Sequence, residues 1–212
     1  MTPDISPEAA HVLAQRAACA ALPQAGLDLL FGAHTHHAWD GRPVAEATLR
    51  RLVALTFGGP TAYNQQPLRV IFVTSPEGKA RLSPAVSRSN RDKTLAAPVT
   101  AILCHDLRFF DHLPRLWPQA DVRPYYDGQP DSARTSAFRN ATLQAGYFLM
   151  AARALGLDTG PMSGFDPARV AAEFLPGRDW EVNFLVNLGH GDPAAVRPRN
   201  PRLGFDEVAA IL

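Results

Sequence analysis

A long apolar helix followed by a glycine-rich turn places the strongest constraint on this sequence. The stretch from Phe138 to Asp166 reads FRNATLQAGYFLMAARALGLDTGPMSGFD, and from Ala145 to Ala152 it is apolar on every side. Such a helix is buried all round or packs against a second chain. Gly156 suits the left-handed position that ends a helix, and Leu157 can fold back as its apolar contact. We therefore predict a central helix that ends in a sharp turn.

The turn after this helix is the first candidate for a ligand-binding segment. Residues 158–165 hold two glycines and one proline. Glycine leaves backbone N–H groups accessible and lets a flat molecule approach the main chain closely. A tight connection between two helices has the same composition, so both interpretations stay open on these residues alone.

Length and charge narrow the class of protein. The chain has 212 residues and 46% hydrophobic content, which is enough for one sizeable core and predicts a single domain over residues 1–212. A net charge of +1 gives no general attraction to nucleic acid or to an anionic membrane. No apolar run approaches the ~20 residues of a membrane span, and the first residues do not resemble a signal peptide. We expect a cytoplasmic protein that binds neither nucleic acid nor membrane.

Local patterns predict more helices than strands, without regular alternation. Residues rich in β-branched and aromatic side chains predict strands at 68–74, 99–104 and 180–188. Asp131 is predicted to cap the central helix. Cap and proline signals predict that other helices begin at Ser6-Pro7-Glu8, after Pro43, at Ser75-Pro76-Glu77 and at Asp166-Pro167. This order predicts an α+β fold and not a doubly wound sheet.

Reactive side chains give weak signals. The sequence contains neither GxGxxG nor GxxxxGK[ST], so a Rossmann cofactor site or a P-loop is not expected. His34, His36 and His37 could suggest a metal, but their spacing is not a recognised metal-binding set, and loop histidines or anion-contacting donors are the favoured interpretation. Cys19 and Cys104 fit free thiols in a reducing compartment. Cys104 ends an apolar strand, which favours a core thiol over a catalytic one.

Four polar or glycine-bearing loops remain as candidates for a shared site. They cover residues 33–39, 61–67, 159–165 and 197–202. The last would supply cationic donors suited to a phosphate, the second would supply amide groups, and the third would supply bare backbone N–H groups. Four unrelated surface loops are the alternative, because one sequence cannot establish that they meet.

In this order the loops resemble those of the FMN-dependent nitroreductase family. They read AHTHHAW, GPTAYNQQP, DTGPMSGFD and RPRNPR, and the similarity runs from about Leu29 to the C-terminus. Within the family, AFRNATLQAGYFLMAARALGLDTGPMSGFD, SPEGKARLSPAVSRSNRDKTLAAPVT and LVNLGHGD are similar to the malonic semialdehyde reductases of pyrimidine catabolism, also called 3-hydroxypropionate dehydrogenases. Any one of these motifs alone would be a weak match, whereas together they are specific.

The resemblance implies a fold and an assembly. The fold would be a nitroreductase-like three-layer α/β/α sandwich with a mostly antiparallel sheet. The assembly would be a homodimer with FMN at the subunit interface, in which the central helix packs on its partner. The apolar end segment, residues 205–212, would form a C-terminal arm that wraps the other protomer.

The turn after the central helix would hold the flavin ring. By resemblance, Ser163 and Gly164 offer backbone N–H groups to N5 and O4 of the isoalloxazine. Pro161 and Met162 would back the ring. These are positions that the family's motif supplies, and they agree with the ligand-binding interpretation of the turn.

The polar loop before the first strand and the basic tail would hold the rest of FMN. By resemblance, Asn64 reaches the flavin or its ribityl chain, and Gln66 shapes the floor of the site together with the proline that follows it. Arg197 and Arg199 match the tail positions that hold the phosphate.

The N-terminal loop departs from the family pattern. Many members begin this loop with an arginine that helps to anchor the phosphate, whereas here Ala33 and His34 stand at that place. Thr35 and His36 complete the cofactor-binding loop, and His37 stands near the usual Lys or Arg position by the pyrimidine edge. A charge-assisted hydrogen bond contributes ~1.5–3 kcal/mol, so we expect FMN to bind roughly tenfold more weakly than usual or worse. Flavin retained through long dialysis at micromolar protein would contradict this.

The subgroup resemblance implies hydride transfer in two half-reactions. NADH or NADPH would donate the electrons, and malonic semialdehyde would be reduced to 3-hydroxypropionate. Arg88 or Arg123 would bind the substrate carboxylate, and aromatic residues including Tyr125 and Tyr126 would roof the pocket. A broad-specificity nitroaromatic or quinone reductase is the first alternative, and a flavin-binding protein with little turnover is the second.

Overall fold

The structure is a computed structural model, and it describes residues 6–18 and 21–212. Contacts divide the chain into two compact units, residues 1–33 and residues 34–212. The first unit contains helices α1 (Pro7–Ala18) and α2 (Gln24–Phe31). Ser6 Oγ accepts a hydrogen bond of 3.1 Å from the backbone N–H of Ala9, as the cap signal predicted. Cys19 lies outside the described residues, and the single-domain assignment stays a prediction.

The second unit contains four strands and seven α-helices among its described residues. The strands are β1 (Leu68–Val73), β2 (Val99–Asp106), β3 (Asp158–Met162) and β4 (Trp180–Gly189). The helices are α3 (Glu46–Thr56), α4 (Pro76–Leu82), α5 (Arg88–Ala96), α6 (Leu113–Leu116), α7 (Pro130–Ala154), α8 (Pro167–Phe174) and α9 (Phe205–Val208). Short 3₁₀ turns connect several of them. None of the described helices is both long and apolar enough to cross a membrane.

The four strands form one antiparallel sheet in the order β1-β2-β4-β3. Strand β2 is central and buried along its whole length, whereas β1 and β3 occupy opposite edges. Since β2 and β4 separate them, the segments that adjoin β1 and β3 lie about 14 Å apart across the sheet, given a strand spacing of about 4.8 Å.

Helices cover both faces of the sheet, which confirms the predicted α+β sandwich. Side chains alternate along β2, so Leu103 packs into one core with Leu52 of α3 and Phe148 of α7. Ile102 faces the other side and packs with Leu82 of α4, in a core that also includes α8. The sheet therefore lies between two helical layers.

The central helix α7 agrees with the sequence at its C-terminal end and differs at its start. Gly156 has a φ of +75° and Leu157 is buried, as predicted. The prediction that Asp131 caps the helix is wrong, because the N-cap residue is Gln129 and it makes no side-chain cap hydrogen bond. Asp131 lies in the first turn, where its charge favours the positive end of the helix dipole.

Strand β3 was not predicted, because its sequence reads as a turn. Pro161 has no N–H to donate, but β3 is an edge strand, where proline is tolerated. A Cβ on Gly160 would lie 2.7 Å from the carbonyl oxygen of His36, so glycine is needed where this neighbouring loop approaches the strand. The predicted glycine-rich turn is therefore shorter than expected and begins after Met162.

Candidate functional site

The loop at residues 34–39 extends the sheet beyond its β3 edge. Thr35 forms a parallel bridge with Thr159, and the His36 N–H donates to the Thr159 carbonyl at 3.0 Å. Trp39 forms a second bridge with Gly191, just after β4. His34 at the start of the loop is half-buried. The predicted N-terminal loop and the predicted glycine turn therefore lie at the same edge of the sheet.

His36 is held by a carboxylate in this structure. Its Nε2 lies 3.2 Å from Asp158 Oδ1, while Asp158 Oδ2 accepts a hydrogen bond of 2.8 Å from the Gly191 N–H. A Cβ on Gly191 would overlap the His36 ring, so this glycine makes room for the histidine. The geometry gives His36 a role in fixing the loop. Its predicted contact with a cofactor remains a prediction.

We expect Asp158→Ala to lower the free energy of unfolding by about 1–2 kcal/mol, because it leaves the Gly191 N–H and His36 without their shared acceptor. Urea denaturation at fixed protein concentration measures this. Asp131→Ala is the matched control, since Asp131 makes no cap hydrogen bond, and it should cost less. An equal loss in both variants would contradict the assignment.

The turn after β3 presents two free backbone donors. The Gly164 carbonyl accepts hydrogen bonds from the Ser87 N–H at 2.9 Å and from Asn90 Nδ2 at 3.1 Å. Within residues 6–18 and 21–212, the N–H groups of Ser163 and Gly164 donate to no protein acceptor. A cavity of about 420 Å³ opens beside them, lined in part by Phe165 and Val86. The turn can thus donate two hydrogen bonds to the polar edge of a ligand.

Helix α5 contributes two side chains that the sequence analysis missed. Asn90 holds the turn through Gly164, and Lys93 Nζ lies 3.3 Å from His37 Nδ1. The Lys93 carbonyl also accepts a hydrogen bond of 3.1 Å from Trp39 Nε1. A spacing of three residues puts Asn90 and Lys93 on one helix face. The spacing is visible in the sequence, but only the contacts with Gly164 and His37 distinguish these two residues from the other polar side chains of α5.

Positive charge is concentrated between the loop, the helix and the tail. Burial lowers the pKa of His37, and the positive charges of Lys93, Arg197 and His36 lower it further. Burial and Arg197 likewise lower the pKa of Lys93. We call Lys93 and Arg197, together with the adjacent His37, the cationic cluster. None of the shifts named for its members comes from a carboxylate, so the cluster is suited to an anion.

Arg199 lies in different surroundings from Arg197. Burial lowers the pKa of Arg153, near the end of α7, and the charge of Arg199 lowers it further, while Asp158 opposes the shift. Arg199 therefore lies near Arg153, whose own surroundings include Asp158 of β3. Both tail arginines are exposed.

The loop at residues 61–67 lies at the other edge of the sheet, next to β1. Asn64 Nδ2 donates to the Leu116 carbonyl at 3.1 Å, and Gln66 Nε2 donates to Asn64 Oδ1 at 2.7 Å. Within one chain, the structure therefore brings together three of the four predicted loops and leaves Asn64 and Gln66 apart from them. The prediction that all four converge is wrong for a single chain.

This separate loop is strained and firmly held. Tyr63, Asn64 and Gln66 have φ values of 49°, 50° and 44°, a conformation that costs non-glycine residues about 1–3 kcal/mol each. Asn140 Oδ1 on α7 accepts a hydrogen bond of 2.9 Å from the Ala62 N–H. Strain of this kind concentrates at functional sites, which favours a role for the loop outside its own chain.

The predicted substrate-binding residues have different environments. Arg88 is exposed at the start of α5, whereas Arg123 is engaged by Asp121, with its Nε at 3.0 Å and its Nη2 at 2.9 Å from the two carboxylate oxygens. Tyr125 is exposed, and its ring stacks 6.2 Å from that of Tyr63. Tyr126 is buried in a core cluster, so its assignment to the pocket roof is wrong.

Cys104 is a core thiol, as predicted. It is fully buried on β2, and burial raises its pKa to about 12. The thiol is therefore protonated at neutral pH and is not a nucleophile.

Comparison with known proteins assigns the fold to a family. Residues 32–190 match the model of the Nitroreductase family. This chain belongs to the nitroreductase family. A Burkholderia lata protein provisionally named NADH dehydrogenase/NAD(P)H nitroreductase is 54% identical over 191 residues, which is 90% of this chain and 98% of that protein. A Stenotrophomonas maltophilia protein of the same name is 53% identical over 192 residues, with coverage of 90% and 98%.

A solved structure of a nitroreductase from Exiguobacterium sibiricum, in complex with FMN, has the same fold as this nitroreductase-family chain. The TM-score is 0.78 with 20% sequence identity, over 91% of this chain and 98% of that one. Together with the family match, these relatives identify the protein as an oxidoreductase of the nitroreductase family.

Proposed function

We propose that this chain is an FMN-dependent oxidoreductase that uses NADH or NADPH to reduce malonic semialdehyde to 3-hydroxypropionate. The observation that carries the proposal is the pair of free N–H groups on Ser163 and Gly164, at the same sheet edge as the cationic cluster. The subgroup resemblance supports the choice of acceptor.

The donor set fits FMN. A flavin has a polar edge that accepts hydrogen bonds, and the turn offers two free N–H groups for it. FMN also has a phosphate, and reduction places negative charge on the ring near N1 and O2. Lys93 and Arg197 supply positive charge, and His37 adds a ring nitrogen beside them. No carboxylate is among the causes of the pKa shifts of His37 and Lys93. Arg199 is a further phosphate donor in this proposal, and Pro161 and Met162 back the ring.

Bound FMN supplies the hydride chemistry, accepting hydride from the nicotinamide and passing it to the acceptor. The protein's part is to orient and polarise. Asn90 and the Ser87 N–H fix the Gly164 carbonyl, which holds the two N–H donors in position before the cofactor arrives. Lys93 favours a negatively charged ring, and neutral His37 can offer it a ring N–H. The preorganised donors therefore need little rearrangement during the reaction.

We infer that a second copy completes the site. The 61–67 loop lies at the far edge of the sheet, so Asn64 and Gln66 can reach the ring only from a partner in a homodimer. Leu143 and Tyr147, one helical turn apart, leave apolar side chains exposed on one face of α7, and Phe138 is exposed on another face. The C-terminal arm at residues 205–212 is exposed as well, with Ile211 at 89%. Both features support a partner that packs on α7 and is wrapped by the arm.

Mixed dimers test the shared site. Asn64→Ala and Gly164→Ala homodimers should each have low activity, whereas co-expressed, doubly tagged heterodimers should regain about half the wild-type activity per dimer. In the heterodimer, one of the two sites combines the wild-type Gly164 of one chain with the wild-type Asn64 of the other, whereas the second site carries both substitutions. Heterodimers no more active than the two parents would overturn the shared site, as would a monomer of 23.0 kDa by light scattering.

The cofactor and donor are tested by the colour of the protein. Purified protein reconstituted with FMN should absorb at ~450 nm, and NADH or NADPH should bleach it without oxygen. Malonic semialdehyde should then restore the colour. A protein that binds FMN but is not bleached would support the alternative of a flavin-binding protein with little turnover.

A broad nitroaromatic or quinone reductase is the second candidate, and an exposed aromatic group favours it. Tyr63 stacks on Tyr125 and contacts Trp117 edge-on at 5.7 Å. A surface of this kind accepts flat rings of many shapes. The ratio of kcat/KM for malonic semialdehyde to that for a nitrofuran or a quinone decides between the two.

We expect Lys93→Met to weaken FMN binding by roughly tenfold or more, since it removes a cationic donor worth ~1.5–3 kcal/mol. It should also raise the pKa of His37, because Lys93 is one of the charges that lower it. Fluorescence quenching on FMN titration and histidine NMR measure the two effects. Arg50→Met removes an exposed charge on α3 and should change neither. Unchanged FMN affinity in Lys93→Met would remove Lys93 from the site.

A further inference from the structure

The chain uses arginine for almost every cation, and its two exceptions lie together. Of 21 basic residues, 19 are arginine, and the only lysines are Lys79 and Lys93. Lys93 belongs to the cationic cluster. Lys79, on α4, contacts the backbone of Thr94, the residue that follows Lys93. Its Nζ donates to the Thr94 carbonyl at 2.8 Å. An ammonium group is compact and shifts its pKa readily, whereas a guanidinium is a broad planar fork. Lys79 and Lys93 are therefore the two compact cations of the chain.

Lys79 is the start of a buried hydrogen-bonded chain, which we call the Lys79 network. Lys79 is 5% exposed, and its Nζ also donates to Thr100 Oγ1 at 2.6 Å. The Thr100 hydroxyl donates to Asn187 Oδ1 at 2.7 Å, and Asn187 Nδ2 lies 3.3 Å from Thr94 Oγ1. Thr94 Oγ1 in turn donates to Met162 Sδ at 3.5 Å. The network thus joins α4, β2, β4 and α5 to the last residue of β3.

Burying this lysine is costly, so its retention calls for a reason. Desolvation lowers the pKa of Lys79 to about 7, with no charged group among the causes. An apolar side chain of similar length would avoid that cost. The ammonium group does, however, bind the Thr94 carbonyl in the last turn of α5, where the helix dipole is negative.

The helix end that Lys79 binds carries the side chains of the proposed site. Lys93 precedes Thr94, and its carbonyl accepts from Asn187 Nδ2 at 3.4 Å as well as from Trp39. Asn90 lies one turn earlier and holds Gly164. The other end of the network is Met162, directly before Ser163. Both parts of the proposed flavin contact therefore depend on atoms that the network fixes.

We propose that Lys79 is a positioning residue of the FMN site, which clamps the C-terminal end of α5 to the sheet and so sets Lys93 and the 163–164 turn at a fixed separation. The inference rests on the proposed function, because it presumes that FMN occupies this edge. It assigns Lys79 no contact with FMN or substrate.

FMN titration of the full-length protein tests the proposal. Lys79→Met should raise the Kd for FMN by about tenfold, through loss of the two hydrogen bonds that fix α5. Thr100→Val, which removes an acceptor and keeps the side-chain shape, should raise it several-fold, and Thr100→Ser should restore wild-type affinity. Arg81→Met is the charge control, since Arg81 is an exposed cation on the same helix, and it should leave the Kd unchanged.

Two further measurements separate positioning from a general loss of stability. The midpoint potential of bound FMN should become more negative in Lys79→Met, because Lys93, no longer held at a fixed distance, favours the reduced ring less. Wild-type protein labelled with ¹³C-lysine has only two lysine signals, and FMN should shift that of Lys79 as well as that of Lys93. The NMR measurement needs no variant, so it tests the positioning role of Lys79 even if Lys79→Met does not fold.

The outcomes distinguish this inference from the proposed function. If wild-type protein does not bind FMN, the proposed function fails. If it binds FMN but Lys79→Met and Thr100→Val keep the wild-type Kd and midpoint potential, only the positioning role fails. A Lys79 NMR signal that FMN leaves unmoved while Lys93 shifts would overturn the positioning role in the same way.

Discussion

Gly164→Ala should weaken FMN binding on the order of a hundredfold. A Cβ at this position would overlap Asn90 Nδ2 and lie 2.8 Å from Ser87 Oγ. Relief of the overlap requires the Asn90 side chain to leave the Gly164 carbonyl, at a cost of about 0.5–1.5 kcal/mol for the hydrogen bond. Overpacking adds about 1–3 kcal/mol. The turn would then move, and with it the two free N–H donors on which the proposed ring contact depends.

Isothermal titration of FMN into the variant measures this loss, and circular dichroism shows whether the fold survives. Gly26→Ala is the matched control, because a Cβ at Gly26 in α2 would meet Leu22 Cβ only at an ordinary 3.5 Å. It should bind FMN as wild type does. If Gly164→Ala bound FMN with wild-type affinity, the turn could not be the site of the ring, and the cationic cluster would need another explanation.

Secondary structure was predictable where composition and periodicity agree. Strands β1, β2 and β4 are dense in β-branched and aromatic residues, and α4 and α8 begin at caps that the structure reproduces at Ser75 and Asp166. Strand β3 was missed because Gly160 and Pro161 are turn residues in isolation. They become strand residues only because an edge position and the approach of His36 select for them, and neither fact is local to the segment.

The site was predictable as a set of loops but not as an arrangement. The sequence gives no strand order, and the strand order places the 61–67 loop at the opposite edge from the 163–164 turn. Asn90 and Lys93 were missed because a polar helix such as α5 has many side chains of similar promise, and only the packing of its end against Trp39 and Gly164 selects these two. The sequence also does not show that Asp121 engages Arg123, which only the fold of this loop determines.

Lys79 should make the stability of this protein rise with pH above neutrality. Its ordinary pKa of 10.5 applies to the unfolded chain, and burial lowers the folded value to about 7. Between these values the unfolded state binds more protons than the folded state, so stability increases with pH. Below about pH 7 lysine is charged in both states and the whole cost of burying the charge is present. Above pH 10.5 it is neutral in both, and the cost is gone.

Wild-type protein should therefore gain about 2 kcal/mol in the free energy of unfolding between pH 7 and pH 9, relative to Lys79→Met. Methionine does not titrate, while the remaining groups contribute equally to both proteins, so the difference isolates Lys79. Urea denaturation of FMN-free protein at pH 7, 8 and 9 gives the two profiles, at one protein concentration because a dimer's stability depends on it. Arg81→Met should follow the wild-type profile. Parallel profiles for wild type and Lys79→Met would mean that Lys79 keeps an ordinary pKa, and that water or an anion reaches its ammonium group in solution.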